Sequence, residues 1–85
     1  MSYIEFIWDL EDDPRGNVAH IAEHDLSKED VECVMCNPAK TGTSRSSGRP
    51  MAYGHTESGA YIAVVYEEVD VDVVYPVTAF ELEEE

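Results

Sequence analysis

The chain of 85 residues is poor in basic residues, in cysteine and in long apolar runs. Five lysines and arginines stand against 19 acidic residues, and the resulting net charge of −14 repels nucleic acid at long range. Two cysteines cannot build the disulfide framework of a small secreted domain. A membrane-spanning helix needs about 20 apolar residues, and no stretch of this chain is that long. The acidic start is unlike a signal peptide. We therefore expect one cytoplasmic domain with no membrane partner.

The few cations are concentrated in one central segment. Ten acidic residues precede position 33 and nine follow position 56, whereas the 24 residues Cys33–Thr56 contain none. This segment holds Lys40, Arg45, Arg49 and His55. Any contact with RNA would therefore be local to this segment. The acidity elsewhere has two simpler explanations, which are solubility and adaptation to high salt.

Periodicity predicts a strand and two short helices in the first half of the chain. Glu5–Trp8 is short and aromatic, which is typical of a strand. Apolar residues three and four apart predict a helix over Asn17–His24, with Asn17 as its N-cap. The run Ser27–Asp30 indicates a capping box that opens a second helix, which ends before Pro38.

The second half of the chain predicts three strands after a mobile loop. Ala39–Arg49 is rich in Gly, Ser and Thr, which is typical of a loop. The strands are expected at Pro50–His55, Ala60–Tyr66 and Val71–Phe80. Pro76 cannot donate to a ladder, so the last strand should be an edge or carry a bulge there. The predicted fold is α+β: two N-terminal helices packed on a mostly antiparallel four-stranded sheet, in the order β-α-α-β-β-β, with 81–85 as an acidic tail.

Short motifs along almost the whole chain match the pattern of one known family. They are Trp8-Asp9, Asn17, His20-Ile21, His24, Leu26-Ser27, Glu29–Glu32, Asn37-Pro38, Gly48-Arg49, Gly54, Gly59, Tyr61-Ile62, Val64–Tyr66 and Tyr75–Ala79. In this order they resemble the BrnT-type toxins, which are similar in fold to RelE-type ribonucleases. The resemblance implies a toxin of a type II toxin–antitoxin pair, with a small antitoxin as its partner.

The resemblance also implies a metal-independent endoribonuclease that needs no cofactor, because the RNA 2′-hydroxyl is the nucleophile. Cations must then meet the phosphate, and a group that titrates near neutrality must move a proton. Arg49 and His55 are the predicted catalytic residues, Arg49 for phosphate binding and His55 for proton transfer. Lys40, Arg45 and Tyr53 are predicted to bind RNA, Tyr53 by stacking on a base. The simpler alternative for Arg49 is an ion pair with a nearby carboxylate.

Two departures from the family pattern favour a second hypothesis. Family members usually carry an arginine where this chain has Phe80, and they are seldom as acidic as this chain. The alternative is a non-catalytic, acidic protein-interaction module on the same fold. Such a module would recruit a basic partner or mimic nucleic acid. The sequence supports both the toxin hypothesis and the interaction-module hypothesis.

His20–His24 matches H-x-x-E-H, a zinc-peptidase pattern that places two imidazoles on one face of a helix. A zinc peptidase also needs a third ligand and an open coordination site, so we favour a structural role at the helix end. With Cys33 and Cys36, His20 and His24 form two ligand pairs that a structural zinc would accept. We expect no metal, and these four residues are the candidates if one is bound.

Overall fold

The computed structural model describes residues 4–82, which form one mixed five-stranded sheet and two helices. In chain order the elements are β1 (Glu5–Phe6), α1 (Asn17–Ala22), α2 (Lys28–Cys36), β2 (Lys40–Thr43), β3 (Pro50–His55), β4 (Tyr61–Asp70) and β5 (Val73–Glu81). The strand order across the sheet is β1-β5-β4-β3-β2. β1 is parallel to β5, and the other neighbours are antiparallel.

The α+β class and the two helices are as predicted, but the four-stranded sheet in the order β-α-α-β-β-β is wrong. The additional strand is β2, which lies within Ala39–Arg49, the segment predicted to be a mobile loop. All four residues of β2 are exposed, so no alternation of apolar and polar residues marks this strand in the sequence. Backbone pairing with β3 holds it, from Lys40 opposite Tyr53 to Thr43 opposite Pro50.

Several boundaries also differ from the prediction. α1 ends at Ala22, and Gly16 rather than Asn17 is its N-cap. β4 continues to Asp70, so the reverse turn lies at residues 71–72, where Asp72 adopts a positive φ of 58°. Of the two alternatives predicted for Pro76, the bulge is confirmed, because the register shifts where Pro76 pairs with Tyr66. The edge strand is wrong, because β5 lies between β1 and β4. Most of the predicted tail 81–85 lies outside the described residues.

The capping box of α2 is confirmed. The Ser27 hydroxyl accepts from the backbone N–H of Asp30 at 3.3 Å, and Asp30 Oδ2 accepts from the Ser27 N–H at 2.9 Å. This reciprocal pair satisfies two backbone donors at the start of the helix. The start of α2 is therefore fixed, and its residues Val31 and Val34, both fully buried, pack against the sheet.

The two faces of the sheet are covered differently. α1 contacts β5 and α2 contacts β3 and β4, and the main core lies between these helices and the sheet. On the opposite face a smaller cluster consists of Met51, Ala63 and Val65, with Tyr53, Val77, Phe80 and Leu82 packed against it. Within residues 4–82, neither helix contributes a residue to this second cluster. We call this side the open face. Neither helix is long and apolar enough to cross a membrane.

Asn17, at the start of α1, joins three parts of the fold. Its Nδ2 donates to the carbonyl oxygens of Ile7 at 3.0 Å and Pro76 at 2.9 Å. Its Oδ1 accepts from the backbone N–H of Asp9 at 2.9 Å, and the side chain is only 1% exposed. The segment after β1, the start of α1 and the bulge of β5 are therefore fixed by one buried amide.

Asp9 and Tyr75 form a second link next to this amide. Asp9 Oδ2 accepts from the Tyr75 hydroxyl at 2.5 Å and from the backbone N–H of Asn17 at 2.9 Å. These two bonds lower the pKa of Asp9 below its ordinary value of 3.8, and the bond from Tyr75 has the larger effect. The pKa of Tyr75 is raised to about 12, mainly by the hydrogen bond to Asp9 and to a smaller extent by burial. The pair therefore favours a charged carboxylate and a neutral phenol.

This link makes stability depend on pH at both ends of the scale. The lowered pKa of Asp9 gives stability that is present above pH 3.8 and is lost as the pH falls below that value. The raised pKa of Tyr75 gives stability that is present below pH 10 and is lost as the pH rises towards 12. When the free energy of unfolding is measured with urea across pH, we expect Tyr75→Phe to reduce both its fall at low pH and its fall at high pH. An unchanged fall at low pH in this variant would show that Tyr75 does not lower the pKa of Asp9.

Candidate functional site

Four side chains from three strands gather on the open face of the sheet. The register places Lys40 opposite Tyr53 and His55 opposite Tyr61, and directly opposed residues lie on the same face. Tyr53 and His55 are two residues apart on β3, so they also share that face. We call Lys40, Tyr53, His55 and Tyr61 the His55 cluster.

The His55 cluster is held by two ring contacts. Lys40 Nζ lies 5.0 Å from the centroid of the Tyr53 ring, within the range of a cation–π interaction. The ring centroids of His55 and Tyr61 are 4.9 Å apart, with an angle of 48° between the planes. Lys40 and His55 are exposed, whereas both tyrosines are half-buried. One accessible surface therefore offers an ammonium, an imidazole and two aromatic rings.

The position of β3 in this cluster depends on Gly54. A Cβ at Gly54 would lie 3.3 Å from Val34 Cγ1 of α2, closer than ordinary packing. The absence of a side chain lets α2 approach β3 on the covered face, directly behind His55 and Tyr53. Cys33, on the same helix, lies with its Sγ 3.8 Å from the backbone oxygen of His55. α2 thus supports the end of β3 that carries the cluster.

Arg49 lies apart from the His55 cluster. It precedes β3 and His55 ends that strand, so six residues of extended backbone place their Cα atoms about 20 Å apart. Its Nε donates to Glu67 Oε1 at 2.8 Å. The structure therefore does not bring Arg49 and His55 to one phosphate. The ion pair that formed the simpler alternative for Arg49 is present.

The predicted RNA-binding residues also divide between the two ends of the β2–β3 hairpin. Arg45 is exposed in the turn 45–47, near Arg49 and at the far end from Lys40. Lys40, Tyr53 and His55 come together as described. Tyr61 was not predicted from the sequence, although the short turn between β3 and β4 could have placed it opposite His55.

The four candidate metal ligands are not gathered. α1 ends at Ala22, so His20 lies on the helix and His24 beyond its end, where its ring centroid is 6.4 Å from that of Phe80. Cys33 points towards β3, and Cys36 is exposed at the end of α2. Within residues 4–82 no three His, Cys, Asp or Glu side chains are arranged to hold a metal. The zinc-peptidase geometry, with both imidazoles on one helix face, is absent from α1.

The resemblance to BrnT-type toxins stays a prediction. The chain matches no protein-family model, no curated protein and no solved structure. Any function must therefore be argued from the geometry of this chain, and the His55 cluster is where that geometry gathers groups able to perform chemistry.

Proposed function

We propose that this protein is a BrnT/RelE-like toxin-fold domain of a type II toxin–antitoxin pair, and that the His55 cluster binds and cleaves RNA. The observation that carries the proposal is the His55–Tyr61 ring pair at 4.9 Å, beside Lys40 over Tyr53, on the open face of the sheet. Partly exposed aromatic rings and a cation on a sheet are features that bind unstacked RNA bases and their phosphates. The imidazole adds a group able to move a proton.

The proposed reaction uses a nucleophile that the RNA itself supplies. The 2′-oxygen attacks the adjacent phosphorus while the His55 imidazole accepts the 2′-hydroxyl proton. The bond from phosphorus to the 5′-oxygen breaks, water donates a proton to the 5′-oxygen, and the proton taken up by His55 passes to the solvent. The products are a 2′,3′-cyclic phosphate and a 5′-hydroxyl. Lys40 would offset the charge that develops on the phosphate oxygens. Tyr53 and Tyr61 would hold the flanking bases by stacking.

The charge distribution supports a local contact with RNA. The β2–β3 hairpin, residues 40–55, contains no acidic residue and carries three of the five lysines and arginines. Outside the hairpin the acidic surface repels RNA, and salt screens that repulsion over a Debye length of about 8 Å at physiological ionic strength. We therefore propose that RNA approaches the hairpin side of the open face and binds better as salt increases.

The proposal is tested by incubating the purified, folded protein with RNA in the presence of a chelator, from low to high salt. We expect cleavage that survives the chelator and leaves 2′,3′-cyclic phosphate ends. Intact RNA at every salt concentration would overturn the enzyme proposal. Co-purification with the product of a neighbouring reading frame that encodes a small basic protein would support the antitoxin part of it.

The second candidate function is a non-catalytic interaction module, and the contacts of Arg49 and Phe80 favour it. Arg49 is neutralised by Glu67, and Phe80 packs into the apolar cluster of the open face at the position where family members usually carry an arginine. The module would bind its partner across the open face without cutting RNA. Stable binding of a protein partner, combined with intact RNA in the assay above, would select this candidate.

Replacing Arg49 separates the two ends of the hairpin. Because Arg49 is paired with Glu67 and is remote from His55, we expect Arg49→Ala to change the RNA cleavage rate by less than about threefold. The loss of this exposed ion pair should lower the free energy of unfolding by about 1 kcal/mol or less. Both are measured against wild type, by cleavage kinetics and urea unfolding. Complete loss of cleavage in a folded Arg49→Ala protein would show that RNA contacts the turn as well.

A further inference from the structure

A cavity of about 200 Å³ lies on the helix-covered side of the sheet, away from the His55 cluster. It exists because α2 is too short for the strands beneath it: nine residues of helix span about 14 Å, whereas the ten residues of β4 span about 33 Å. The end of β4 beyond α2 is therefore uncovered. Met35 and Pro38, near the end of α2, form one wall of the cavity.

The cavity is apolar inside and acidic at its mouth. Ala52, Tyr66 and Val74 line its floor, and Ala52 and Val74 are buried members of the main core. Three carboxylates, those of Glu68, Asp70 and Asp72, line its outer part, and all three residues are exposed. Tyr66 and Glu68 are spaced two apart on β4 and share this face, and the β4–β5 register shifts between Glu68 and Asp70, where Asp70 also lines the cavity.

Nothing in the described part of the chain neutralises this acidic mouth. Among residues 4–82, the lysines and arginines within ion-pair distance of a carboxylate are Lys28, which pairs with Glu11, and Arg49, which pairs with Glu67. Met35, in the last turn of α2, lines the cavity, and this turn carries no basic residue to offset the negative end of the helix dipole. Burial and the charge of Glu68 raise the pKa of Tyr66, which therefore stays a neutral ring. The site is complementary to a positive charge carried on an apolar stem.

We propose that this cavity receives a lysine or arginine side chain of a basic partner protein. About 200 Å³ is below the 300–1,000 Å³ of pockets that enclose drug-sized ligands, and it suits a single side chain. The alkyl stem would contact Ala52, Tyr66 and Val74, and the charged tip would lie among the three carboxylates. The net charge of −14 would steer a basic partner towards this surface. This inference goes beyond the proposed RNA cleavage and does not depend on it.

The test titrates ¹⁵N-labelled protein with three blocked tripeptides, each with glycine on both sides of a central residue. The central residue is arginine, lysine or citrulline, which matches arginine in shape but carries no charge. We expect the arginine and lysine peptides to shift the amide signals of Tyr66, Glu68, Asp70 and Asp72 in a saturable way. The citrulline peptide should bind at least about fivefold more weakly.

Paired variants separate a specific site from general acidity. Glu68→Gln with Asp70→Asn removes two charges at the cavity, and Glu23→Gln with Glu57→Gln removes two exposed charges elsewhere. We expect the first pair to weaken binding of the arginine peptide at least about fivefold and the second pair to weaken it less than about twofold. Both proteins carry the same net charge, so screening affects them equally.

Three results would overturn the proposal. Equal binding of the citrulline peptide would show an apolar pocket with no preference for charge. Equal weakening in the two paired variants would show non-specific attraction. Tighter binding of free agmatine than of the arginine peptide would assign the cavity to a small organic cation instead of a protein side chain. RNA cleavage is measured separately, so failure here leaves the proposal for the His55 cluster standing.

Discussion

Asn17→Ala is expected to lower the free energy of unfolding by about 3–4 kcal/mol. The substitution removes a side chain that is 1% exposed and that bonds three backbone groups, the carbonyls of Ile7 and Pro76 and the N–H of Asp9. A buried polar group left without a partner costs about 1–3 kcal/mol. Alanine is also too small to fill the space, so packing is lost together with the bonds.

Urea unfolding of the two proteins measures this loss, and Asn37→Ala is the matched control. Asn37 is exposed at the end of α2, so its replacement should change stability by no more than about 0.5 kcal/mol. Asn17→Asp keeps an acceptor for Asp9 but loses both donors and places a carboxyl group beside two carbonyl oxygens. We expect it to be at least as unstable as the alanine variant. A loss below about 1 kcal/mol in Asn17→Ala would mean that water replaces the amide.

His55→Ala is expected to lower the rate of RNA cleavage about 100- to 1,000-fold, the range for losing one general acid–base group. The imidazole is exposed at the end of β3, so its removal should leave the fold intact. Its partner ring, that of Tyr61, stays in place and can still stack on a base. The binding of a non-cleavable RNA with a 2′-methoxy group should therefore weaken far less than the rate falls.

Single-turnover kinetics separate this chemical role from a role in binding. Lys40→Ala removes the cation of the cluster and should reduce the rate about tenfold, whereas Arg45→Ala removes an equal charge at the far end of the hairpin and should change it less than about twofold. Cleavage at the wild-type rate by His55→Ala would remove the imidazole from the mechanism. Equal effects of the two cation variants would mean that RNA senses only the overall charge of the hairpin.

The parts of the fold that the sequence predicted are those with a local chemical signature. The start of α2 was found because Ser27 and Asp30 satisfy each other's backbone groups within one turn. β3 was found with its observed bounds, because proline precedes its apolar residues and a polar turn follows them. β2 has no such signature. Its four exposed residues are held by backbone bonds to β3, and such bonds are the same for any side chain.

The candidate site was predicted only in part, for a geometric reason. Arg49 and His55 are close in the sequence and are predicted to act on one phosphate, but six residues of extended strand span about 20 Å. Lys40 is predicted to bind RNA because of its charge, and the unpredicted strand β2 brings it opposite Tyr53. Tyr61 was absent from the prediction because its role depends on the register between β3 and β4.

The position of β5 between β1 and β4 has a consequence for how the chain is made. A ribosome releases β1 and both helices long before β5, yet Asn17 finds its partner at Pro76, 59 positions later. Until then β1 has no neighbouring strand, and the buried amide of Asn17 has only the Ile7 carbonyl as an acceptor. Contacts this distant in sequence form slowly, so we expect the newly made chain to complete this fold only after β5 has left the ribosome.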